Sequence, residues 1–109
     1  MDDNMKRVAI PASGDSIQGS MDRHFGRCAY FVIADGDGTR MVENTARDAA
    51  EGAGLKAAQL MIDNQVDVVI TDSLGPKAAR TLEEAGIRTH VGISGDIGEV
   101  LGRYREGRL

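Results

Sequence analysis

Apolar positions along this chain fall into two periods, and the alternation between them predicts the elements. Lys6–Ala12 (Lys-Arg-Val-Ala-Ile-Pro-Ala) reads as a short buried strand ending near Pro11, and Ala29–Ala34 (Ala-Tyr-Phe-Val-Ile-Ala), rich in β-formers, reads as the second. Asp35-Gly36-Asp37-Gly38 is a hairpin turn, because Asp-Gly pairs tolerate positive φ. Thr39–Asn44 then returns antiparallel as a third strand. Leu55–Asn64 carries Leu55, Ala58, Met61 and Ile62 on one face at helical spacing. Val66–Thr71 is an almost unbroken β-branched run, which suits a strand buried on both faces. A second helix starts at Ser73–Lys77, with Pro76 near its first position, and stops at Gly86. Ile87–Ile93 alternates as a strand with one wetter face. Ser94-Gly95-Asp96 caps a last helix with the stripe Ile97, Val100, Leu101 and Tyr104.

The order β-β-β-α-β-α-β-α predicts an α/β fold with a mixed five-stranded sheet and three helices. The second half makes parallel crossovers, and the front hairpin adds an antiparallel strand. Met1-Asp2-Asp3-Asn4-Met5 reads as a flexible tail before a single domain over residues 6–109.

If strand one is central, with the hairpin on one side and strand four on the other, the strand order reverses between strands one and four, and ligands of open α/β sheets bind at that point. The loops leaving those strands are Ser13–Arg27 and Thr71–Lys77. The first is longer than most connections, as functional loops often are. It holds Ser13, Arg23, His24, Phe25, Gly26 and Arg27, with Cys28 just beyond. The second offers Gly75 and Lys77 at a helix start, where free backbone N–H groups attract anions. His24 and Cys28 are the candidate metal ligands, although two such residues fall short of a structural zinc site. Phe25 can anchor the loop on the core, while Arg23 and Arg27 offset negative charge. His90 lacks polar neighbours along its strand and reads as structural.

Composition narrows this further. A formal net charge of −4 disfavours a general nucleic-acid binder. The longest apolar runs are far short of a membrane span. A single Cys excludes an internal disulfide and, with no secretory signal pattern, fits the cytoplasm. Gly52-Ala53-Gly54-Leu55-Lys56-Ala57 matches a dinucleotide pattern with Asp72 downstream, but Thr45–Glu51 separates it from any strand. A nucleotide-binding protein therefore stays as an alternative, as does a regulatory module without a cofactor.

Several stretches resemble the dinitrogenase iron–molybdenum cofactor-binding family, in its small stand-alone form. They include Val8-Ala9-Ile10-Pro11, His24-Phe25-Gly26-Arg27, Tyr30-Phe31-Val32-Ile33, Glu43-Asn44, Gly52–Gln59, Val66–Thr71, Leu74–Ala78 and Ala85-Gly86-Ile87. The resemblance implies a ribonuclease H-like α/β/α fold with sheet order 3-2-1-4-5 and strand 2 antiparallel. It implies non-catalytic binding, carriage or storage of an anionic metal–sulfur cluster, of molybdenum–copper sulfide or iron–molybdenum type. His24 maps onto the family histidine that precedes Phe-Gly. Implied partners are cluster-biosynthesis proteins or ATPases of the cell-division type. Two positions depart from many relatives: Cys28 replaces a small apolar residue, and Asp48-Ala49-Ala50-Glu51 lacks a histidine found before Gly-Ala-Gly. Either Cys28 or a mainly electrostatic hold would then take that histidine's part. Ser13–Met21 is expected to act as a flexible lid, ordered only when the site is filled.

Overall fold

A computed structural model describes residues 6–36 and 38–109. The tail expected over residues 1–5, and Asp37 of the expected hairpin turn, lie outside the described residues. The elements run β1 (Val8–Ala12), β2 (Tyr30–Asp35), β3 (Gly38–Glu43), α1 (Ala53–Asp63), β4 (Val68–Ile70), α2 (Pro76–Glu84), β5 (Arg88–His90) and α3 (Ile97–Arg105).

The five strands form one sheet in the order β3-β2-β1-β4-β5. β1 pairs antiparallel with β2 and parallel with β4, and β4 pairs parallel with β5. Because side chains alternate along a strand, each strand feeds two cores. Ala9, Phe31, Ile33 and Val69 face α1 and α2, where they meet Ala57, Ala58, Met61, Ala78 and Leu82. Val8, Ile10, Val32, Val68 and Ile70 face α3 and meet Ile97, Val100, Leu101 and Tyr104. This two-sided burial explains why β1 and β4 read as unbroken apolar runs. The layers and strand order are those expected.

All three helices end alike. In α2, Gly86 N–H donates to Glu83 O at 3.0 Å and Ile87 N–H to Leu82 O at 2.9 Å, closing a Schellman turn with Gly86 at φ 79°. α1 ends with the same two bonds, Gln65 to Ile62 and Val66 to Met61, but the left-handed residue is Gln65 at φ 58°. α3 closes through Gly107 and Arg108, with Arg103 and Arg105 in its last turn where cations suit the dipole.

Three expectations change. β5 ends at His90, and Val91 is 55% exposed. The chain turns there because Gly92 N–H donates to Asp72 O and Ile93 N–H to Thr71 O, across the end of β4. α1 begins at Ala53, and Leu55 is 45% exposed while Ala57 takes its place in the core. Helical side chains lean toward the N-terminus, so Leu55 projects past the sheet. The Ser13–Met21 loop seats on α3: Met21 N–H donates to Gly95 O, and Ile97 N–H donates to Gly19 O. It thus supplies the first α3 N–H with an acceptor, a task the Asp96 side chain does not perform. Among the described residues, no helix is long and apolar enough to cross a membrane.

Candidate functional site

A cleft of about 800 Å³ lies beyond the C-terminal ends of β1 and β4, where the strand order reverses. Three segments wall it: His24–Arg27, Glu51–Leu55 at the start of α1, and Ser73 with Gly75–Ala78 at the start of α2.

The first wall is held by its own side chains. Asp22 Oδ1 accepts the His24 backbone N–H at 2.9 Å, a local turn that presents the imidazole. Phe25 is buried and meets Phe31 with ring centroids 5.3 Å apart. Gly26 lies so close to α1 that a Cβ there would stand 2.7 Å from Gly54 N. Arg27 reaches sideways, donating Nη1 to Arg47 O at 2.9 Å and Ala49 O at 2.7 Å. The first and third walls are stitched together. Ser73 Oγ donates to Arg23 O at 2.7 Å, and His24 and Ser73 form a parallel backbone bridge. Thr71, fully buried, donates Oγ1 to Ser73 O and shapes the turn leaving β4.

Two helices open into the cleft. Both have glycine at the N-cap, neither has a side-chain cap, and neither carries an acidic residue in its first turn. In α1 the first intrahelical donor is Lys56, bonded to Gly52 O, and in α2 it is Ala79, bonded to Gly75 O. The backbone N–H groups of Ala53, Gly54 and Leu55, and of Lys77 and Ala78, therefore have no acceptor within their helices. Each helix N-terminus acts as roughly half a positive charge. Arg27 and Lys77 add whole charges, and Glu51 on the rim opposes one of them.

Of the residues picked from sequence, the cleft brings together His24, Phe25, Gly26, Arg27, Gly75 and Lys77. Ser13 does not line it: its N–H bonds Ser20 O within the loop seated on α3, and no residue of 13–21 lines the cleft. The lid therefore has no counterpart in this structure. Arg23 does not line the cleft either, and its Nε lies 3.4 Å from Asp72 Oδ2. Cys28 is fully buried against the core, with Sγ bonded to Phe25 O at 3.4 Å. Burial pushes its thiol up to about 12, with the nearby Asp22 charge adding to the effect. A metal-binding thiolate is thus disfavoured in this conformation. Among the described residues, no three His, Cys, Asp or Glu side chains converge as a metal site. His90 packs edge-on against Tyr104, 6.0 Å between centroids, away from the cleft.

Sequence reasoning missed the α1 wall. In the sequence Gly52-Ala53-Gly54 reads as a dinucleotide pattern and as part of the family resemblance, not as a wall of the site. Residues 44–51 separate it from β3, so the tight strand–turn–helix of that pattern is absent. The same glycines instead open a helix onto the cleft. The sign was present in the sequence, since glycines without a capping side chain preceded a helix.

The family model for the dinitrogenase iron-molybdenum cofactor matches residues 6–107. This chain belongs to that family. An uncharacterised protein of Methanocaldococcus jannaschii is 28% identical, over 96% of this chain and 90% of its own length. The apo orange protein of Desulfovibrio gigas superposes with a TM-score of 0.89 at 32% identity, covering 95% of this chain and 90% of that one. A NifB-like protein of Thermotoga, solved by NMR, superposes at 0.81 with 34% identity, with the same coverage. Membership of the iron–molybdenum cofactor family points to cofactor binding or carriage rather than catalysis.

Proposed function

We propose that the cleft carries an anionic metal–sulfur cluster as cargo, without chemical conversion. The observation that supports this is the meeting of two uncapped helix N-termini with Arg27, Lys77 and a lone imidazole, His24. That set suits a preassembled anion better than a bare cation. The two helix ends together offer about one elementary positive charge in fixed backbone. His24 would contact a metal or sulfide at the rim, and the apolar sides of Phe25, Leu55 and Pro76 suit the soft, weakly hydrated surface of a sulfide cluster. Molybdenum–copper sulfide and iron–molybdenum clusters are the two cargo types this favours. This chain's protein partners would be cluster-biosynthesis proteins or ATPases of the cell-division type.

The test is reconstitution with tetrathiomolybdate and copper(I), and separately with an iron–molybdenum cluster, followed by gel filtration. A coloured complex should co-elute with the protein. His24→Ala should shift its charge-transfer bands, and Lys77→Ala should weaken it more at low salt than at high salt. If no coloured complex survives with either cluster, the reading fails.

A further inference from the structure

We infer that Asn44 is a positioning residue for the cleft: it sets where the His24–Arg27 wall stands without itself lining the cavity. The inference rests on the cargo reading for its binding consequence, and on geometry alone for its structural one.

Asn44 is the residue just past β3, and it is 2% exposed. Its side-chain amide is bonded through both nitrogen and oxygen. Nδ2 donates to Gly26 O at 3.0 Å and to Cys28 O at 2.9 Å, while Oδ1 accepts the Ala46 N–H at 3.1 Å. Its backbone N–H donates to Ala29 O at 3.0 Å, which continues the β2–β3 ladder past the strand end. The two carbonyls it grips belong to the 26–27 and 28–29 peptides, so they fix one peptide plane on each side of the Arg27-Cys28 pair. The Ala46 bond fixes the start of the next loop, and Arg27 Nη1 then closes onto Arg47 O and Ala49 O farther along it. One buried amide therefore pins both loops that Arg27 joins.

Gly26 makes this matter to the cleft. Its Cα region sits against Ala53 and Gly54, the first residues of α1. A carbonyl of Gly26 that lost its donor would turn toward another partner, and the wall would shift against the helix end that supplies the free N–H groups. Only asparagine meets the demand at this size: aspartate lacks both donors and would set a carboxylate against two carbonyl oxygens, and leucine would leave three buried polar groups unpaired. Cys28 Sγ is a further, weak acceptor of Nδ2 at 3.7 Å, and its own S–H donates to Phe25 O, so the thiol cannot replace the amide as donor to the Gly26 and Cys28 carbonyls.

The experiment compares Asn44→Ser, Asn44→Asp and Ile10→Val, the last a core change on the α3 side of the sheet. Each is measured at a temperature where it is fully folded. Titration with tetrathiomolybdate plus copper(I) should show roughly tenfold or greater weakening for Asn44→Ser, in line with other supporting groups around metal sites, and no weakening for Ile10→Val. Amide shifts in cargo-free Asn44→Ser should extend through Gly26 and Arg27 to Ala53 and Gly54. Equal affinities for Asn44→Ser and the parent would overturn the inference. Shifts confined to residues 44–46 would do so too, even if the parent binds no cluster and the cargo reading has failed. If Asn44→Asp does not fold, the serine variant decides the matter alone.

Discussion

The contact between Gly26 and the start of α1 makes the sharpest stability prediction. An alanine Cβ at Gly26 would lie 2.7 Å from Gly54 N, 2.8 Å from Gly54 Cα and 3.1 Å from Ala53 C. Ordinary contact begins near 3.4 Å, so the two segments must part by about 0.7 Å. The opposing atoms are helix backbone, which cannot swing aside as a side-chain tip would. Overpacking of this kind costs about 1–3 kcal/mol. At about 4–8 °C per kcal/mol for a domain of this size, Tm should fall by roughly 5–20 °C. Gly54→Ala is the control, because its Cβ would meet only Ala78 Cβ at 3.6 Å. There the helix-propensity gain of up to about 1 kcal/mol should leave stability equal or higher. Urea and thermal unfolding followed by circular dichroism measure both. If Gly26→Ala matches the parent within about 0.5 kcal/mol, or Gly54→Ala falls as far as Gly26→Ala, the close approach is not what holds the wall.

Other consequences follow from the same geometry. Gln65→Gly should stabilise the protein by about 0.5–1 kcal/mol, because relief of a left-handed non-glycine residue outweighs glycine's extra chain entropy; chemical denaturation would show a higher midpoint at unchanged slope. The Cys28 thiol keeps its proton to about 12 when folded but would lose it near 9.0 when unfolded. Unfolding therefore releases a proton in that window, and its contribution is present below pH 9 and lost as pH rises toward 12. Relative to the parent, Cys28→Ala should show a shallower alkaline fall in Tm, and native Cys28 should resist alkylation at pH 8 until the protein is unfolded. Arg27→Gln should raise amide exchange across residues 45–51, where its guanidinium holds the Arg47 and Ala49 carbonyls, while leaving exchange in β1 and β4 unchanged.

The family resemblance supplied the sheet order with β1 central, and with it the strand reversal that locates a cleft, whereas the apolar periods alone determined the element order and the two-sided burial of β4. They do so because burial on both faces and helical amphipathicity leave a direct mark on residue spacing. His24-Phe25-Gly26-Arg27, Gly75 and Lys77 were likewise readable, since a long polar loop and a glycine–proline helix start carry their chemistry in local residue types. Only the tertiary structure decided the rest. Gly52-Ala53-Gly54 became a wall through its approach to Gly26, a contact across the chain that spacing does not encode. Ser13–Met21 went to α3 because the N-terminus of that helix needed an acceptor, and Arg23 was drawn to Asp72. Cys28 turned inward, where burial keeps its thiol protonated. Asn44 reads in the sequence only as the end of the third strand and as half of the Glu43-Asn44 stretch. Its importance lies in two carbonyls far along the chain, and hydrogen bonds between distant segments exist only once the sheet has brought them together.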